Sequence, residues 1–311
     1  MTHVTVTGGA GYLGSVLVPT LLREGFRVTV LDSFIFNQTG LLDNCFDPNF
    51  RIIRGDVRDK AALKDAIAGA DYIIPLAAIV GAPACKADPI ATTSINLDSI
   101  RMLLELRSKD QRIVSPCTNS GYGIGQKGVE CTEDSPLKPI SLYGTTKVDA
   151  ERAILDAGNS ISLRLATVFG GSPRPRLDLL VNDFVYRAMT DRFLVIFEGH
   201  FKRNYIHIRD VARAFLHAIR NFEAMQGQPY NVGLSDANIS KLELCAKIKE
   251  QIPEFYYTEA AIGQDPDKRD YVVSNAKIEA TGFLPQVSLD MGITELIKVY
   301  TILRAKLYVN A

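Results

Sequence analysis

Residues 4–22 read VTVTGGAGYLGSVLVPTLL, a β-branched alternation that breaks into glycines and resumes as an apolar helix. The glycines fall at Gly8, Gly11 and Gly14. Gly8 permits a tight turn, Gly11 lets the backbone approach a pyrophosphate, and Gly14 allows the helix to pack closely on the strand. The first turn of that helix then presents free N–H groups and the positive end of its dipole to phosphate oxygens.

The next strand, RVTVLD, ends at Asp32, about twenty residues past the last glycine. A carboxylate there accepts hydrogen bonds from an adenine ribose and repels a 2′-phosphate. The expected cofactor is therefore NAD rather than NADP. Asp56 and Val57, at the end of the third strand, are expected to flank the adenine. A helix cap is the competing role for Asp56.

From the first turn outward, strand-like runs alternate with amphipathic helices. The runs are HVTVTG, RVTVLD, RIIRGD, DYIIPLA, QRIVSPC and SISLRLATVFG. Helical spacing occupies about 12–24, 59–69, 89–108 and 142–157. This predicts right-handed βαβ crossovers and an α/β fold, a Rossmann-type doubly wound parallel sheet. After residue 170 the rhythm changes at GGSPRPR. Helices are expected near 177–190, 210–222 and 240–251, with short strands FLVIF, NYIHI and FYYTEA. The expected division is an NAD-binding Rossmann domain over 1–170 and a smaller C-terminal α+β substrate-binding region over 171–311, interleaved at the boundary.

Composition excludes several classes. The 311 residues carry 35 Lys+Arg against 35 Asp+Glu, so no global basic footprint for nucleic acid or anionic membrane exists. Five scattered cysteines form no Cys-x-x-Cys pair, and four separated histidines suggest no metal site. The apolar stretch IIPLAAIVGAPAC is broken by Pro75, Gly81 and Pro83, well short of the roughly 20 residues a bilayer needs. The chain opens directly into a strand without a signal-peptide pattern, and a cytoplasmic location is expected.

The chemistry is carried by SLYGTTK and by SPCTNSGYGIG, residues 115–125. Tyr143 and Lys147, at i and i+4, project from one helix face. Thr118 ends the fifth strand, where it should face the cofactor. A phenol has a reference pKa of about 10. A neighbouring Lys⁺ and a positive nicotinamide should favour its phenolate. The expected roles are substrate hydroxyl binding by Thr118, proton removal by Tyr143, and nicotinamide-ribose binding by Lys147.

These motifs resemble the extended short-chain dehydrogenase/reductases, in the NAD-dependent epimerase/dehydratase branch that acts on nucleotide sugars. TGGAGYLG, GDVRD, LAA, Thr118 with YG following, YGTTK, RLATVFG and RNYIHIRDVARA occur in that family's order. The resemblance implies cofactor contacts from Tyr12, Leu13, Leu76 and Ala77. It also implies that Asn96 steadies the active-site loop at the cofactor. In 4,6-dehydratases of the family the threonine is followed by Asp-Glu, the acid and base of elimination. This chain has Asn119-Ser120 there. An amide is no general acid near neutral pH, and an unassisted serine is a poor base.

The resemblance also implies a nucleotide sugar between the sheet edge and the C-terminal region. Arg203 and Arg269 are the phosphate candidates, since a guanidinium engages diphosphate oxygens through parallel hydrogen bonds. Asn182 is similar to a diphosphate-contacting asparagine, and Thr167 stands where relatives carry another. Val80 and the residues following it should line the sugar side, with Asn119 and Ser120. His207 is expected to be a packed strand residue, and Asp210 a helix cap. A narrower resemblance joins IIPLAAIVGAPACKADP, TNSGYGIG, RLDLLVNDF and DPDKRDYVVSNAKIEATGF. These strings look like bacterial GDP-D-glycero-D-manno-heptose 4-dehydrogenases of capsular polysaccharide synthesis. The implied reaction is NAD-dependent oxidation of a nucleotide sugar at C4, with a nucleotide-sugar 4-epimerase as the alternative. A homodimer or homotetramer is implied by analogy.

Overall fold

A computed structural model describes residues 1–125, 128–262 and 269–303 of the chain. Residues 265–268 of the DPDKRDYVV string thus lie outside the described residues. Fourteen strands follow one another in the described residues. The first seven are β1 (His3–Thr7), β2 (Arg27–Asp32), β3 (Phe50–Arg54), β4 (Tyr72–Pro75), β5 (Arg112–Thr118), β6 (Glu130–Cys131) and β7 (Ser160–Leu165). The others are β8 (Thr167–Phe169), β9 (Phe193–Ile196), β10 (Lys202–His207), β11 (Pro229–Val232), β12 (Asn238–Ser240), β13 (Tyr256–Glu259) and β14 (Val272–Val273).

Seven of these form one sheet in the order β11-β7-β5-β4-β1-β2-β3. All its pairings are parallel. Strand order reverses between β1 and β4, and the crevice outside their carboxyl ends is where a doubly wound sheet binds ligands. The seventh strand, β11, comes from the C-terminal part of the chain, so that part completes the central sheet.

Alternation along the strands divides the core into two. Val4, Val6, Val28, Val30, Ile74 and Val114 pack with Leu17 and Leu21 of α1 (Gly14–Arg23). Leu31, Ile73 and Ile113 point the other way, towards Leu63 of α2 (Lys60–Ile67). Each such buried aliphatic contributes about 1.5–3 kcal/mol, so a strand with both faces covered reads as an almost unbroken apolar run.

The stretch expected as one helix over 89–108 is interrupted. After α3 (Ala82–Ala87), α4 (Pro89–Thr93) passes through a π-helical turn, Ser94–Asp98, into α5 (Ser99–Leu106). Such bulges re-aim side chains, and this one carries Asn96. The Tyr–Lys helix is α6 (Leu142–Asp156), capped by Ser141, whose Oγ accepts from Gly144 N.

The remaining helices are α7 (Leu180–Thr190), α8 (Ile208–Arg220), α9 (Phe222–Met225), α10 (Lys241–Gln251), α11 (Ala276–Glu279) and α12 (Leu289–Ile302). Smaller sheets knit the C-terminal part together: β10 between β8 and β12, β9 beside β13, and β6 beside β14. The β6–β14 pair joins the loop after β5 to the far end of the chain. No helix among the described residues is long and apolar enough to cross a membrane.

Candidate active site

The glycine turn leaves no room for side chains. Gly8 has φ 68°, and a Cβ there would lie 2.6 Å from the Ala77 backbone. At Gly14 a Cβ would fall 2.3 Å from the Gly9 oxygen, so the helix sits directly on the turn. The first turn of α1 holds no acidic residue, and its Leu13 N-cap makes no side-chain cap. Ser15 N and Val16 N already donate to Gly11 O and Leu13 O, so what this helix end offers is the positive end of its dipole.

Asp32 stands beside this turn, almost fully buried. Its Oδ2 accepts from Ala10 N at 2.9 Å, and its Oδ1 from Phe34 N at 2.8 Å and Gln38 Nε2 at 3.2 Å. Burial pushes its pKa up, and these hydrogen bonds pull it back. A carboxylate offers about four lone-pair sites. The Ser33 backbone N–H also supports the charged form, so a ribose hydroxyl would share the carboxylate oxygens with these donors. The positive helix end, the bare glycines and this carboxylate fit a dinucleotide without a 2′-phosphate.

The carboxyl end of β5 supplies the reactive groups. Thr118 Oγ1 donates to Ser120 Oγ at 3.0 Å and accepts from Ser120 N at 3.1 Å. Tyr143, half-buried at the start of α6, lies close enough to Thr118 for that hydroxyl to favour its phenolate. Burial raises the phenol to about 12, with the Cys117 thiol adding to the rise. Arg176, Arg269 and the Thr118 hydroxyl oppose it. Arg176 and Arg269 thus join Lys147 as cations near the reaction centre.

Lys147 is buried one helical turn along. Burial lowers its pKa, while Cys117 and Glu151 support the charged form. The expected Thr118, Tyr143 and Lys147 thus converge on one strand end. Asn119, only 1% exposed, has no hydrogen-bond partner for either amide atom among the described residues.

Several expected ligand residues have other partners. Asn182 Oδ1 accepts from Gly170 N at 3.0 Å, and its Nδ2 reaches Arg176 O at 2.9 Å, Gly170 O and the Tyr12 hydroxyl. Its amide thus ties the loop after β8 to the glycine turn through Tyr12. Asn96 accepts from Ile79 N and donates to Ile79 O, which pins the loop after β4 around half-buried Leu76, Ala77 and Val80.

Asp56 grips Arg58 through both carboxylate oxygens, while Asp59 caps α2 in its place. Val57 is buried beside it. Asp210 caps nothing on its own helix. His207 caps α8, and Asp210 accepts from Gln286 N and Val287 N. His207 is also packed at the end of β10, its ring edge-on to Phe169. Thr167 lies on β8 opposite Tyr205.

Of the two phosphate candidates, Arg203 is buried with its guanidinium over the Tyr271 ring. Arg269 reaches the reaction centre, where its Nη1 donates to Ser120 Oγ. Arg176 and Gln38 were not singled out in the sequence. Arg176 is buried, paired with Asp178, and close enough for its charge to act on both Tyr143 and Tyr12. The Pro-flanked arginines of SPRPRLD, in a loop leading off a sheet edge, were the available signal.

Among the described residues no three His, Cys, Asp or Glu side chains gather as a metal site. Residues 4–233 match the model of the NAD dependent epimerase/dehydratase family. Haloferax volcanii low-salt glycan biosynthesis protein Agl12 is 29% identical, over 96% of this chain and 98% of its own. Among solved structures, the dTDP-glucose 4,6-dehydratase DesIV of Streptomyces venezuelae with NAD bound is 26% identical. It superposes with a TM-score of 0.85, covering 97% of this chain and 98% of its own. The Thermus thermophilus UDP-glucose 4-epimerase complex with NAD is 25% identical, with a TM-score of 0.81, covering 96% and 99%. The chain belongs to the NAD-dependent epimerase/dehydratase family and takes NAD as its cofactor.

Proposed function

We propose that the protein oxidises a nucleotide sugar at C4. The observation that carries this reading is the convergence of Thr118, at the end of β5, with Tyr143 and Lys147 of α6. Thr118 holds the C4 hydroxyl, and Tyr143 removes its proton. Lys147, one turn along α6, binds the nicotinamide ribose. Bound NAD supplies the acceptor for the carbinol hydrogen. Arg203 and the C-terminal region hold the nucleotide diphosphate, with Val80, Thr167 and Asn119 towards the sugar.

Relatives of this chain include dehydratases and epimerases, so family membership alone does not choose the reaction. The residues after Thr118 favour oxidation without elimination. Asn119 carries an amide, and Ser120 is engaged by Thr118 and Arg269. Neither supplies the carboxyl pair that elimination needs. Within this reading, the strings around 73–89, 118–125 and 176–184 favour a GDP-heptose, which makes the protein a 4-dehydrogenase of surface-polysaccharide synthesis. The likeness to a UDP-glucose 4-epimerase keeps 4-epimerisation as the second reading.

The test is mass spectrometry of nucleotides released on denaturing the purified protein, then a screen of GDP-, UDP- and dTDP-sugars with NAD⁺. A 4-ketone that accumulates with an added oxidant supports the dehydrogenase. An inverted alcohol without net redox supports the epimerase, and a 4-keto-6-deoxy product overturns both.

A further inference from the structure

We propose that Ser120 and Arg269 are positioning residues for Tyr143, forming with Thr118 a row of donors that runs from a guanidinium to the phenolic oxygen. The proposal builds on the reading of Tyr143 as the base. Arg269 Nη1 donates to Ser120 Oγ, Ser120 and Thr118 share two hydrogen bonds, and Thr118 lies close to Tyr143.

The row has a rigid origin although Arg269 is far along the chain. Its neighbour Asp270 bridges to Ile124, accepts from Gly125 N at 2.8 Å, and takes Lys202 N on its side chain at 2.8 Å. Tyr271 then packs edge-on against Tyr122 and under Arg203. These contacts bring the C-terminal region onto the turn that carries Ser120.

Hydroxyl hydrogens rotate to suit their partners. With the phenol neutral, Thr118 gives its hydrogen to Ser120. When the phenol ionises, both hydroxyls turn. Arg269 then donates to Ser120, Ser120 to Thr118, and Thr118 to the phenolate. A charge-assisted row of this kind favours the anion, and it requires a hydroxyl at position 120 that both accepts and donates. The other groups acting on the phenol are Cys117 from β5 and Arg176 from the loop after β8, while Lys147 stands one turn along its own helix. Arg269 thereby couples the C-terminal region to the state of the base.

The experiment is a pH titration of the full chain carrying tyrosine labelled with ¹³C at Cζ, with NAD⁺ in excess. The Tyr143 signal is assigned by its loss in Tyr143→Phe. The midpoint is expected to rise by about one pH unit in Ser120→Ala and Arg269→Gln. It should stay near the wild-type value in Ser120→Thr. Coincident midpoints in wild type and Ser120→Ala overturn the proposal. If Ser120→Ala does not fold, Ser120→Cys against Ser120→Thr makes the same comparison. The readout needs no turnover, so it separates failure of the row from failure of Tyr143 as catalyst.

Discussion

Glu151 and Arg164 face each other in a sealed ion pair, 2.8 Å apart, with side chains 2% and 6% exposed. Arg164 Nε also reaches both carboxylate oxygens, and Ser162 Oγ donates to Glu151 Oε2 at 2.6 Å. The pair lies one helical turn beyond Lys147, and its carboxylate supports that ammonium. Removing one partner leaves the other charge buried and uncompensated. Glu151→Gln is therefore expected to lose about 3–5 kcal/mol in urea unfolding. The double replacement Glu151→Leu with Arg164→Met should recover much of that loss. A near-zero effect of Glu151→Gln would show that the pair is hydrated in solution.

Asp32 governs the choice of dinucleotide. Replacing it by Asn keeps the shape but removes the charge that accepts a ribose hydroxyl. Hydrogen bonds to charged groups contribute about 1.5–3 kcal/mol, so NAD⁺ affinity should fall roughly tenfold to a hundredfold. The repulsion of a 2′-phosphate is lost too, and the preference for NAD⁺ over NADP⁺ should narrow. Calorimetric titration with both dinucleotides measures the ratio. An unchanged ratio in Asp32→Asn would mean that discrimination lies elsewhere.

Tyr143 links pH to stability and to turnover. Its phenol is raised to about 12 in the folded chain, against about 10 when unfolded. Below pH 10 both states hold the proton, and the group does not bias folding. Between about 10 and 12 the unfolded chain releases it first, so stability falls as pH rises. Tyr143→Phe should make this alkaline loss shallower by one proton, read from unfolding curves at a series of pH values. The same variant should keep NAD⁺ binding and lose about 10²–10⁴ in turnover on the substrate found by the nucleotide-sugar screen. Full activity in Tyr143→Phe removes it as the base.

The parallel sheet was legible because its inner strands are buried on both faces, edge strand β3 being the exception. Gly8, Gly11 and Asp32 could be read by their spacing, since a dinucleotide cradle is built from one local βαβ unit. Thr118 was legible as the end of an apolar strand. What escaped were contacts set by distant segments. Asn182 reads as a ligand by likeness, and its amide also bonds Gly170, Arg176 and Tyr12. Asp210 reads as a cap, but the turn at Gln286 and Val287 takes its carboxylate. The contact of Arg269 with Ser120 depends on the Ile124–Asp270 bridge and the pairing of β6 with β14, which no local pattern announces. The strand β11, only four residues long, has too short a period to stand out.

Asn119 yields the last prediction. Its amide is buried with neither oxygen nor nitrogen bonded among the described residues, a state that costs about 1–3 kcal/mol. An apolar side chain of similar volume removes that cost without opening a void. Asn119→Leu is thus expected to raise the unfolding midpoint, whereas Asn119→Asp, which buries a charge instead, should lower it. Retention of an unfavourable amide beside Thr118 makes sense if a sugar hydroxyl satisfies it when substrate is bound. Asn119→Leu should therefore gain stability, keep NAD⁺ affinity and weaken substrate binding, seen as a raised KM. If it instead lowers stability as much as Asn119→Asp does, the amide has partners in solution and no claim on the sugar.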